Sequence, residues 1–340
     1  MMQKALFVGG TGTISMAVSR LVAADPDWEL FLINRGSRND ELPENVNVIN
    51  VDINDEDRID EILDGVMFDC VCDFIAFTPE DAERDYRLFR GRCRQFIYIS
   101  SASAYNKPCR NHIITEGTAL ANPFWEYSRN KILCETFLMD KYEKEGFPVT
   151  IVRPSHTYDK RSIPLGVHGR KGSWQVVKRM LEGKPVLVQG DGTSLWTMTY
   201  NEDFAKGFKG LMANPHAIGE SFQITSDETL TWNQIYEAIA DALDVDYIPY
   251  YVSSEFLASV SDYDYFGSLL GDKSNSVVFD NSKIKRAVPG FTCTVRFDQG
   301  VKKVVDYCLS HPECQIPDPE FDEFCDRVIE ELEEAKDRLR

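Results

Sequence analysis

A chain of 340 residues exceeds the length at which one hydrophobic core usually stops growing, so a large α/β unit with a smaller lobe is expected. Its formal charge of −18 argues against a general affinity for nucleic acid or anionic membranes, because phosphate contacts need positive charge. No apolar run approaches the ~20 residues that span a bilayer, and the apolar stretch before Gly9 is too short for a secretory signal; a cytoplasmic protein without membrane partners is expected. Nine cysteines are scattered without a repeated zinc-ligand spacing, which fits reduced thiols and no metal site.

Residues 4–8 form a short apolar strand that runs straight into Gly9-Gly10-Thr11-Gly12-Thr13-Ile14-Ser15, and residues 16–22 then follow helical periodicity. Strand, glycine turn and helix is the context in which backbone amides at a helix start face a dinucleotide pyrophosphate. Residues 29–33 make a second strand that ends in Asn34-Arg35-Gly36-Ser37-Arg38. Folds that prefer NAD place an acid here for the ribose 2′-hydroxyl. Asn34, Arg35 and Arg38 suit a 2′-phosphate instead, so NADP is the expected cofactor, with NAD as the alternative.

A third strand over 46–51 is followed by Asp52-Ile53, a helix over 56–63, a strand over 66–76, a helix over 81–90 and a strand over 95–100. This alternation predicts a doubly wound, parallel Rossmann sheet. The fifth strand runs into Ser100-Ser101-Ala102-Ser103-Ala104-Tyr105, whose hydroxyls should face the ligand crevice at the carboxyl ends of the strands. Tyr127 and Lys131 then lie four residues apart on a helix, which puts them on one face. A nearby ammonium is expected to lower the phenol pKa and make Tyr127 a usable acid or base. A sixth strand over 149–152 closes on Arg153-Pro154.

With these signals in order, the chain resembles the extended short-chain dehydrogenase/reductases, the NAD(P)-dependent epimerase/dehydratase group. The resemblance rests on Gly9-x-x-Gly12-x-x-Ser15, Asp52-Ile53, the segment 98–105, Tyr127-x-x-x-Lys131 and Arg153-Pro154. It implies that Ser101 and Tyr127 contact the substrate oxygen, with Tyr127 as acid/base and Lys131 also holding the nicotinamide ribose. It implies cofactor contacts at Gly9, Gly12, Thr13 and Ile14, at Asp52 and Ile53, and at Ala76 and Pro154; Ser103, His156 and Trp196 fall in the substrate set. Ser15 replaces the third glycine, a position that mainly serves helix–strand packing. The nucleotide-sugar epimerases of the family place Asn where this chain has His156 and a phosphate-gripping Arg where it has Trp196. A second expected Arg is missing, with Lys273 near its place. Loss of two bidentate guanidiniums argues against a UDP-sugar.

The expected domains are a Rossmann domain over 1–158 and a substrate lobe over 159–340, some of whose segments return to the large domain before a terminal helix over 320–340. The loop 160–171 concentrates cationic residues and reads either as an anion grip or as a solvated flap. Trp174, Trp196 and Trp232 read as core more readily than as substrate contacts. The expected activity is NAD(P)-dependent hydride and proton transfer at a secondary alcohol or ketone of a small molecule such as a sugar derivative, by an epimerase or reductase. A dehydratase would want an acidic pair beside the serine, and Ala102-Ser103 has none. The alternative is a non-catalytic dinucleotide- or RNA-binding protein similar to the chloroplast stem-loop-binding proteins. A homodimer is left open.

Overall fold

The structure, a computed structural model, describes residues 2–36 and 41–340. Seven strands build the central sheet: β1 (Gln3–Val8), β2 (Trp28–Asn34), β3 (Asn47–Asn50), β4 (Cys70–Asp73), β5 (Phe96–Ile99), β6 (Val149–Pro154) and β7 (Ser221–Ile224). They pair in the order β7-β6-β5-β4-β1-β2-β3, every pair parallel. β4, β5 and β6 are buried along their whole length, as continuous apolar strands covered on both faces should be, whereas β3 is a partly exposed edge.

Alternation along β1 shows how the layers form. Ala5 and Phe7 join a core with Val18 and Val22 of helix α1 (Ser15–Ala23). Leu6 and Val8 point the other way, toward Ile59 of α2 (Glu56–Ile62), Phe89 of α3 (Pro79–Phe89) and Leu138 of α4 (Glu126–Glu145). The chain winds outward in both directions from β1 and β4, so the crevice opens where Val8 and Asp73 end side by side.

The expected Rossmann sheet is therefore present, and its edges differ from expectation for local reasons. The fourth strand is four residues long rather than eleven, because the Asp73 carboxylate accepts the Ile75 N–H at 2.5 Å and turns the chain back over the glycine turn. Helix α3 starts at Pro79, two residues early: Thr78 and Asp81 form a reciprocal capping box and proline fits the first turn. Gly146, at φ +72°, stops α4.

Beyond β6 a separate core gathers Trp196, Trp232, Tyr236 and Val301, and β7 returns to the sheet beside β6. Trp196 and Trp232 are core residues, as expected, and Trp174 packs partly buried against them. The terminal helix (Pro319–Leu339) docks there through Phe321, Phe324 and Val328, while its last apolar residue, Leu339, is 89% exposed. The loop 160–171 is an anchored segment rather than a solvated flap. Ile163, Leu165 and Val167 anchor it in the core, Lys160 and Arg161 reach Glu41 at 3.2 and 3.8 Å, and Arg170 reaches Glu320 at 3.3 Å. Among the described residues, no helix is long and apolar enough to cross a membrane.

Candidate active site

The glycine turn lies at the mouth of the crevice. Gly9 has φ +75°, and a Cβ there would sit 2.4 Å from Ile75 Cγ2; one on Gly10 would sit 2.4 Å from Leu32 Cδ2. Only glycine lets the turn lie this close to both neighbours. Ser15 does more than the packing expected of it: its hydroxyl donates to the Gly9 carbonyl at 2.7 Å and accepts the Gly12 N–H at 2.8 Å, closing the turn with its own side chain. Thr13 and Ile14 follow at the start of α1, with the Thr13 carbonyl held by Asn201 at 3.0 Å. This backbone fits a pyrophosphate, since the glycine turn leads straight into the start of a helix, where amide N–H groups are free of intrahelical partners.

At the end of β2, the Asn34 side chain accepts the Gly36 N–H at 2.9 Å and Arg35 is exposed; Arg38 lies outside the described residues. Asp52 is exposed just past β3, with Ile53 buried behind it. Ala76 and Pro154 are both buried at the crevice edge, Pro154 ending β6.

Ser101, Tyr127 and Lys131 come together as expected. Ser101 and Tyr127 line one cavity, and a serine chain backs the first: Ser101 Oγ lies 2.9 Å from Ser103 Oγ, to which Ser128 donates at 2.7 Å. Lys131 is almost fully buried beneath, its Nζ donating at 2.7 Å to the carbonyls of both Ala76 and Ile99 and lying 5.8 Å from the Tyr127 ring centroid. Burial draws the Lys131 pKa down to about 8.

One expectation is reversed. Tyr127 is pushed above the usual phenol value, chiefly by burial and also by the facing Asp272 carboxylate, with the Ser101 hydrogen bond pulling the other way. Lys131 points its protons at main-chain carbonyls, so desolvation wins over the ammonium in the protein alone.

Helix α4 is fixed to the sheet by a buried ion pair. Arg153 of β6 grips Glu135 with Nε at 2.9 Å and Nη2 at 2.5 Å, and Ser100 at the end of β5 donates to the same carboxylate. The pair holds the helix bearing Tyr127 and Lys131 in register with the strand end bearing Ser101.

Above these groups lies a cavity of about 250 Å³ lined by Ser101, Trp125, Tyr127, Ser155, His156, Trp196, Asp272 and Lys273. His156 and Trp196, two separate departures in sequence, form one unit here: the indole Nε1 donates to His156 Nδ1 at 3.2 Å. Burial lowers the His156 pKa to about 3, so the ring is neutral. Ser103 sits behind Ser101, buried and out of the cavity lining. Sequence reasoning missed Asp272 and passed over Lys273 as merely near. Both arrive on an eight-residue π-helix, Phe266–Lys273, which lies so close to Trp125 that a Cβ on Gly267 would sit 2.1 Å from its ring. Such π-helical turns are frequent at functional sites.

The family model for the NAD-dependent epimerase/dehydratase family matches residues 5–225, from β1 through β7. The chain belongs to that family. Members similar to it are named reductases, epimerases and dehydratases, enzymes of the extended short-chain dehydrogenase/reductase type. A 2′-dehydrokanamycin reductase of Streptomyces kanamyceticus is 25% identical over 85% of this chain and 80% of its own length. A chloroplast stem-loop binding protein of 41 kDa from Arabidopsis thaliana is 24% identical over 71% of this chain and 63% of that protein. In fold, the chain is similar to UDP-glucuronic acid 4-epimerase from Bacillus cereus, solved with UDP-glucuronic acid and NAD, at TM-score 0.72, 18% identity, and 91% and 99% coverage of the two chains. The family's description as NAD-dependent makes a nicotinamide dinucleotide the cofactor type of the family.

Proposed function

We propose that this family member is an NAD(P)-dependent reductase or epimerase acting at a secondary alcohol or ketone of a sugar derivative. The observation that carries the reading is that Ser101 and Tyr127 line the floor of one cavity, with the Lys131 ammonium fixed beneath it. A bound nicotinamide supplies or accepts the hydride. Tyr127 gives a proton to the developing alkoxide, or takes one from the alcohol in the reverse direction. Ser101, held by Ser103 and Ser128, keeps a hydroxyl aimed at the same oxygen and steadies its charge. Lys131 favours the phenolate once ligands displace water from the cleft and weaken screening between the two groups. No acidic side chain stands beside Ser101 at Ala102 or Ser103, which favours reduction or epimerisation over dehydration.

Gly9, Gly12, Thr13 and Ile14 would hold the pyrophosphate, and Asp52 and Ile53 the adenine. Asn34 and exposed Arg35, in place of an acid, favour NADP over NAD. Titration of the purified protein with both dinucleotides tests this. NADP binding at sub-millimolar concentration, weakened by Arg35→Ala while NAD is spared, supports the reading; binding of neither dinucleotide defeats it.

The stem-loop-binding relative raises a second reading, RNA binding. The charge of −18 and the assembled Ser101, Tyr127 and Lys131 weigh against it. RNA binding that weakens with salt and ignores Tyr127→Phe would favour it instead.

A further inference from the structure

We propose that the substrate carries one compact anionic group, a carboxylate or a single phosphate, which sits on Lys273 and the His156 Nε2–H at the junction of two cavities. The inference rests on reading Ser101 and Tyr127 as the reacting end of the cleft.

The geometry starts with that junction. His156 and Lys273 line both the 250 Å³ cavity above Tyr127 and a second of about 220 Å³ that runs past His168 and Ser173 to Thr13 of the glycine turn. A ligand reaching from Tyr127 into the second cavity must pass both side chains. The Lys273 backbone is fixed there, because its carbonyl accepts Trp232 Nε1 at 2.9 Å at the end of the π-helix.

Each carboxylate near the junction is in contact with another group. Asp272, the carboxylate facing Tyr127, has buried Lys107 at 3.8 Å. Asp264 accepts the Trp125 indole N–H at 2.7 Å, and Asp159 is held by Arg161 at 3.2 Å. Among the described residues, the Lys273 ammonium has no carboxylate within 4.0 Å and donates no hydrogen bond of its own. A partly desolvated cation without a partner is costly unless a ligand provides one.

His156 supplies the second donor. An indole N–H can only donate, so His156 Nδ1 must be the lone-pair nitrogen facing Trp196. The neutral ring then carries its proton on Nε2, the atom left for the cavity. Replacing the Trp196 indole or the His156 imidazole would therefore alter one shared device.

One ammonium and one N–H match one carboxylate or one phosphate. A diphosphate would leave its second phosphoryl charge uncompensated, and a polycationic sugar would meet Lys273 with like charge. The Trp196 indole, packed on Trp232 with ring centroids 5.4 Å apart, closes the space as an apolar wall.

The test is calorimetric titration of the NADPH-saturated protein with glucuronate, glucose 6-phosphate, UDP-glucose and glucose. We expect glucuronate or glucose 6-phosphate to bind about tenfold or more tightly than glucose and UDP-glucose, as one charge-assisted contact allows. Which of the two wins identifies the anion. Lys273→Met should erase that preference, and Lys273→Arg should keep it, with NADPH affinity unchanged and melting temperature not lowered in either. Tighter binding of UDP-glucose, a preference that survives Lys273→Met, or no preference at all (absence of binding included) overturns the inference. If neither NADPH nor NADH binds the wild-type protein, the functional reading falls and takes the inference with it; if a dinucleotide binds and the anions are not preferred, the inference alone falls.

Discussion

The floor and the far wall of the cleft are held in opposite ways. On the floor, polar groups are paired within the protein: Lys131 with two main-chain carbonyls, Ser101 with Ser103, Ser128 behind both, and Glu135 with Arg153 and Ser100. On the far wall, an indole, a neutral imidazole and an ammonium without a carboxylate partner face the same space. The floor thus comes preorganised for one proton transfer, and the wall keeps donors in reserve for whatever the substrate presents. Reaction type and substrate choice can then change independently within one fold.

If the floor holds the chemistry, the largest effect belongs to Tyr127→Phe. Turnover of a sugar ketone should fall by about 10²–10⁴-fold while dinucleotide affinity stays the same. A steady-state assay beside a binding titration checks both, and a small loss of turnover would dissolve the distinction between floor and wall. Next comes the strut beneath the floor. Arg153→Met strands the Glu135 carboxylate in the core and should cost about 3–5 kcal/mol in urea unfolding. A much smaller cost would show that α4 needs no such tie.

The wall makes its own prediction through His156. Its folded pKa, about 3, lies below the unfolded value of about 6.5, so the unfolded chain binds the extra proton between those limits. Stability should therefore rise with pH across that window and gain nothing further from this group above it. The contribution has a ceiling of about 1.4 kcal/mol per pH unit. Subtracting the unfolding profile of His156→Gln from that of the wild type isolates it; identical slopes would mean the ring is charged or exposed. The smallest effect belongs to the turn: Ser15→Ala removes two hydrogen bonds and should cost about 1–2 kcal/mol, with weaker NADP binding. Full retention of both would return Ser15 to the mere packing role its position suggested.

The floor was legible in sequence because its signals are local. Gly9 to Ser15 sit between a strand and a helix, Tyr127 and Lys131 are one turn apart, and Ser101 ends a buried strand. Even there, spacing did not reveal that Lys131 spends its protons on Ala76 and Ile99, so the direction of the Tyr127 shift came out reversed. The wall was hidden because distant segments build it. Asp272 and Lys273 arrive on a π-helix that follows neither helical nor strand periodicity, and His156 and Trp196 read as two losses until the fold placed them in contact. The cationic loop shows the opposite case: its charges stand out in sequence, while in the fold Glu41, Asp159 and Glu320 pair with Lys160, Arg161 and Arg170.

The most direct test of the central claim is isotope transfer. Protein loaded with NADPH tritiated at the reactive ring position is mixed with a sugar ketone, and label is counted in the recovered sugar for wild type and Tyr127→Phe. The account predicts label in the sugar with the wild type, almost none with Tyr127→Phe, and equal NADPH binding by both. Equal transfer by the two proteins, or binding of neither NADPH nor NADH, would contradict it.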